Sequence, residues 1–164
     1  MSKPSRKQWA ALGLFMAFVV GLDQLTKYLT VREIPYGGQV RIWPGVVHLT
    51  YVRNTGAAFS MFSGMRWLFL LLVVVFFAGV FFLIRAGILR RKAELWCLAA
   101  IGGGALGNAI DRVVSGKVVD MIEPEFVNFA VFNVADSFIT VGAIWLGVYL
   151  LFFDRKKAGN ESRP

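Results

Sequence analysis

The residues able to do chemistry gather in short stretches: Asp23 and Lys27, Asn108 with Asp111 and Arg112, Asp120, and Asn133 with Asp136. The chain holds one histidine, His48, and one cysteine, Cys97. A His-rich zinc site or an H-E-x-x-H helix therefore has no ligands, and a Ser-His or Cys-His nucleophile would have to use His48. His48 sits in a strand-like run, where a lone histidine is more often surface than catalyst. Carboxylate is the chemistry left in quantity. Two aspartates brought close cannot both ionise cheaply, so they share a proton and titrate as a pair. The ionised member takes a proton from water while the protonated one polarises a carbonyl.

The elements that carry these groups are apolar. Of 164 residues 57% are hydrophobic and only 17% charged, where a soluble domain has nearer a quarter charged. Four segments, residues 9–29, 67–84, 95–114 and 132–153, are long enough to cross a core of about 30 Å. The second contains no polar side chain. The expected fold is an α-helical integral membrane protein, a single membrane domain of four transmembrane helices. A charge at a helix centre costs roughly 2.5–3.5 kcal/mol, and less near the surface. Single costs of that size are tolerable. Their recurrence at one membrane depth needs a cause.

Basic residues set the expected orientation. Lys3, Arg6 and Lys7 precede the first span, Arg85, Arg90, Arg91 and Lys92 join the second to the third, and Arg155, Lys156, Lys157 and Arg163 follow the fourth. With four spans these lie on one side, which the positive-inside rule makes cytoplasmic. The net charge of +8 is then a topology signal, helped by anionic lipid, and no nucleic-acid partner is expected. The first apolar run is longer than a signal-peptide core and has no small-x-small site after it, so it reads as a retained anchor. Cys97 has no internal disulfide partner and reads as packing.

Residues 30–66 and 115–131 then face the extracytoplasmic side. In the first, "GGQVRIW" and "VVHLTYVRN" predict a small β-sheet inserted between helices 1 and 2. "NTGAAF" predicts a turn, with Asn54 and Gly56 tolerating backbone angles that Ala58 and Phe59 do not. The second loop fits a strand or an interfacial helix equally.

Each polar residue also has a structural reading. Asp23 and Lys27 are spaced i, i+4 with the acid first, which favours a helical ion pair. Arg112 can snorkel, or pair with Asp111 or another carboxylate. Asn108 can join helices. Asn133 and Asp136 both sit where a helix cap belongs, although capping alone would account for one of them. It leaves Asp120 unexplained. "GGGALG" matches G-x-G-x-x-G but follows no strand and lies inside a span. Its Gly103 and Gly107 form G-x-x-x-G, a close-packing signal.

Four motifs in order, "DQLTK" at 23–27, "NTGAAFS" at 54–60, "GGALGNAIDR" at 103–112 with "VVDM" at 118–121, and "FNVADS" at 132–137, resemble the bacterial lipoprotein signal peptidases (signal peptidase II). The resemblance runs from about Asp23 to Thr140. Met121 and Ala109 stand where a bulkier or aromatic residue is common. The resemblance implies an intramembrane aspartyl endopeptidase of the inner membrane that cuts prolipoproteins before a diacylglyceryl-modified cysteine. Its dyad would be Asp120 and Asp136, and no metal or organic cofactor would be used. Asn54, Gly56, Asn108, Arg112 and Asn133 would line the site or hold the dyad. Asp23 and Lys27 would support the fold beside it, and the small sheet would cradle substrate at the membrane surface. A monomer suffices. The competing classes are a small transporter or channel, whose path the uniformly apolar second span does not line, and a non-catalytic assembly factor.

Overall fold

The structure is a computed structural model that describes residues 4–56 and 61–154. Lys3, Arg155, Lys156, Lys157 and Arg163, and the Ala58 and Phe59 part of the expected turn, lie outside the described residues.

Among the described residues four helices are long and apolar enough to cross a membrane. α1 spans Arg6–Glu33, α2 Arg66–Arg85, α3 Lys92–Val114 and α4 Val134–Tyr149, the last continuing as a π-helical turn over Leu150–Asp154. α1 and α3 begin three residues before the expected spans, because capping groups precede the apolar run. Ser5 accepts the Gln8 N–H, and Glu94 accepts the Arg90 and Arg91 N–H groups.

α3 is the central element and contacts the other three helices. Its glycines permit this. A Cβ at Gly103 would stand 2.9 Å from Val19 Cβ, and one at Gly107 would stand 2.6 Å from Asp23 Oδ2. One at Gly104 would collide with the Ala135 carbonyl of α4. The "GGGALG" stretch thus packs helices, as its place inside a span requires. α2 packs on α3 and has no buried residue at all. A helix that is apolar throughout between its terminal arginines and left open on this scale has lipid as its solvent.

At one end of the bundle lies a three-stranded antiparallel sheet in the order β1 (Gln39–Trp43), β2 (Val47–Asn54), β3 (Val118–Pro124). The first two strands form the expected hairpin between α1 and α2. The second loop, open between strand and helix in the sequence, is extended and adds β3. Its register sets Asn54 against Val118 and Val52 against Asp120. The outer edge of β3 is partly closed by Phe132, whose N–H bonds to the Ile122 carbonyl at 3.0 Å and whose carbonyl accepts from Ile122 at 2.7 Å. This bridge delivers the chain to the start of α4 beside Asp120.

Candidate active site

α4 begins with a reciprocal cap. The Asn133 side chain accepts the Asp136 N–H at 2.9 Å, and Asp136 Oδ2 accepts the Asn133 N–H at 3.2 Å. Capping therefore occupies both residues, where the sequence reading gave it only one. It uses a single oxygen of Asp136. The other, Oδ1, takes the Asn108 amide at 2.7 Å. Asp120 arrives from β3, and its two oxygens accept from Asn133 Nδ2 at 2.7 Å and Asn54 Nδ2 at 3.0 Å. Neither aspartate forms an ion pair among the described residues. Asp120 is 2% exposed, and its carboxyl is pushed up from 3.8 to about 6. Burial is the main cause and the charge of Asp136 adds to it, against the Asn54 and Asn133 amides and Lys27, which pull it down.

Behind this pair lies a second acid cluster. Lys27 Nζ is buried between Asp23 Oδ2 at 2.7 Å and Asp111 Oδ2 at 3.0 Å, and donates to Asn108 Oδ1 at 2.8 Å. Gln24 adds donors to Asp111 Oδ1 at 2.9 Å and the Gly107 carbonyl at 3.1 Å. The acids face outward as well. Asp23 Oδ1 accepts the Ala135 N–H of α4 at 3.0 Å, and Asp111 Oδ2 the Val119 N–H of β3 at 3.2 Å. The elements that carry Asp136 and Asp120 are thus tied to one ion-paired block. Asn108 joins the two clusters. Its oxygen faces donors from Lys27 and Asn133 (3.1 Å), so its amide nitrogen must point at Asp136.

Arg112 makes neither the Asp111 pair nor any other ion pair among the described residues. Consecutive helical residues do not face each other. Its guanidinium instead lies 4.3 Å from the Phe69 ring centre and donates to the carbonyls of Gly56 at 2.9 Å and Asn108 at 3.3 Å. Gly56 in turn donates its N–H to Asn54 Oδ1 at 2.8 Å, an Asx turn that aims the Asn54 amide at Asp120.

Asp120, Asp136, Asn54, Gly56, Asn108 and Arg112 line one end of a cavity of about 700 Å³. The rest of its wall is apolar, from α2 (Phe69, Leu72, Val73, Phe76), α3 and α4. Asn133 stands behind the wall, and Asp23 and Lys27 behind it again. His48 pairs with Glu125 at the sheet, and Cys97 lies outside the cavity. Among the described residues no three His, Cys, Asp or Glu side chains converge as a metal site. Sequence reasoning missed Gln24, misassigned Asp111, and passed over Ser137 and Thr140 in the wall. The spacing i, i+3 of Gln24 with Lys27 and of Asn108 with Asp111 is the signal that could have found the first two.

The chain is similar to known proteins along most of its length. The sequence profile described as Signal peptidase (SPase) II matches residues 15–152. Lipoprotein signal peptidases of Enterococcus faecalis and Trichormus variabilis are 43% and 46% identical, covering 92% and 87% of this chain and the same shares of their own. Two solved structures described as bacterial membrane enzymes superpose with TM-scores of 0.84 and 0.77, at 30% and 33% identity. They cover 94% and 87% of this chain and 93% and 94% of their own.

Proposed function

The chain belongs to the signal peptidase II family of aspartic-type peptidases, and on that premise we propose that it removes signal peptides from lipoprotein precursors by cutting before a diacylglyceryl-modified cysteine. It is a multi-pass bacterial membrane protein. Asp120 and Asp136 are the proposed dyad. The observation that carries this is Asn133, which donates its side-chain amide to Asp120 and its main-chain N–H to Asp136 beside one cavity.

In this reading a water lies between the two carboxyls. Asp120, raised to about 6, carries the shared proton and gives a hydrogen bond to the scissile carbonyl. Each of its oxygens keeps a lone pair beyond the one facing an amide, so protonation breaks no bond. Ionised Asp136 takes a proton from the water as its oxygen attacks the carbonyl carbon. The tetrahedral intermediate then expels the cysteine amine, which leaves with that proton. Peptide and water become a carboxylate and an ammonium group. In this reading Arg112 and the Gly56 carbonyl it holds fix the substrate backbone, supported by their place in the cavity wall.

The apolar wall suits a signal helix and acyl chains entering sideways from the bilayer. The basic residues flanking the spans support cytoplasmic termini and an extracytoplasmic dyad at the membrane–water interface. A monomer among lipids completes the reading. In detergent, the wild type is expected to cut a lipidated precursor at the modified cysteine, with the new ends read by mass spectrometry. Asp120→Asn and Asp136→Asn should each lose at least about 10³-fold. Equal turnover of an unlipidated precursor would contradict entry from the membrane.

A further inference from the structure

Resting on that reading, the geometry points to a further contact: we propose that the Thr140 hydroxyl binds a carbonyl oxygen of the substrate within the apolar part of the cavity. Every other described serine and threonine hydroxyl is already bonded. Thr26, Thr30, Ser115 and Ser137 return theirs to carbonyls of their own helices, at 2.8–3.1 Å. Thr50 bonds the Gly38 carbonyl, Thr55 and Ser63 bond each other, and Ser5 caps α1.

Thr140 lines the cavity and has no partner among the described residues. The other polar side chains of that wall, Asn54, Asn108, Arg112, Asp120, Asp136 and Ser137, are all held by the protein. A hydroxyl in hydrocarbon is costly without a partner, and the usual remedy is the carbonyl one turn back. Thr140 sits four residues beyond Asp136, on the same face of α4 and about 6 Å deeper along its axis. It is exposed in the structure, on a helix long and apolar enough to cross a membrane.

The complementary ligand at that depth is an acceptor with little hydration to lose. Two carbonyls of the precursor qualify, an ester of the glyceryl lipid on the cysteine and a main-chain carbonyl of the signal segment. The contact is made in the ground state as well as in the transition state, so its loss should raise KM and spare kcat.

The test uses the full chain in detergent with Thr140→Val and Thr140→Ser, and two precursors that differ only in ester-linked or ether-linked glyceryl chains. Thr140→Val is isosteric and apolar, and should keep the wild-type melting temperature. On the ester precursor its KM should rise about fivefold to tenfold with kcat unchanged, and Thr140→Ser should restore it. If the ester is the acceptor, the ether precursor gives wild type and variant the same raised KM. If the main chain is the acceptor, the variant's deficit is the same on both precursors. Identical KM for wild type and Thr140→Val on both precursors would overturn the proposal and leave the peptidase standing. A wild type that cuts neither precursor would bring down both.

Discussion

Two acid clusters lie side by side at the sheet-bearing end of the bundle, and they are held in opposite ways. Asp23 and Asp111 share Lys27, with nitrogen–oxygen distances of 2.7 and 3.0 Å. Among the described residues Asp120 and Asp136 receive only amide donors, three from asparagine side chains and one from the main chain. A cation between two acids compensates their charge and ties them to one place. Neutral amides fix position but leave the proton free to move. In the second cluster, where no ion pair forms among the described residues, burial raises the Asp120 carboxyl.

The sharpest way to break this contrast is to remove the cation. Lys27→Met should leave two buried carboxylates without a counter-charge and destabilise the protein by about 3–5 kcal/mol, read as a fall in melting temperature in detergent. Combining it with Asp23→Asn and Asp111→Asn should recover most of that loss. If the single variant melts like the wild type, the block around Lys27 is not what holds α4 and β3.

A smaller effect should run the other way at the proposed dyad. The Asp120 carboxyl stands near 6 in the folded protein against an ordinary 3.8, so the folded state binds the proton more tightly than the unfolded one. Its stabilisation is fully present below about 4 and is lost as the pH rises through about 6. The gap is worth about 3 kcal/mol. Asp120→Asn carries no such penalty, although its amide must oppose one of the two donors that face Asp120. This variant should therefore be more stable than wild type at pH 8, by about 1–2 kcal/mol, and the advantage should vanish by pH 4. A constant difference across that range would show that Asp120 is not desolvated as described.

The same contrast explains what the sequence could disclose. Local rules reached the spans, the Asp23–Lys27 pair and the capping residues of α4, because each rests on spacing within one helix. The glycine packing of α3 was legible for the same reason, and the hairpin strands from their own short β-branched and aromatic runs. The links between elements were not. Lys27 reaches Asn108 across 81 residues, and Gln24 reaches Asp111 across 87. Asp111 and Arg112 suggested a pair by adjacency, yet their side chains leave the helix in different directions, one to Lys27 and one to Gly56. The loop before α4 declared its strand only through β2, whose Asn54 lies 66 residues from the Asp120 it holds. Order of motifs, not periodicity, brought Asp120 and Asp136 together in the reading.

The most direct measurement compares Asp136→Asn with Asp111→Asn, two near-isosteric changes in the same polar end. Cleavage of a lipidated precursor would be measured per folded molecule, with melting temperature recorded alongside. The account predicts that Asp136→Asn keeps its fold and loses at least about 10³-fold in turnover, while Asp111→Asn loses stability and retains turnover within about tenfold for each molecule that remains folded. Retained cleavage by Asp136→Asn, or a folded and equally dead Asp111→Asn, would contradict it.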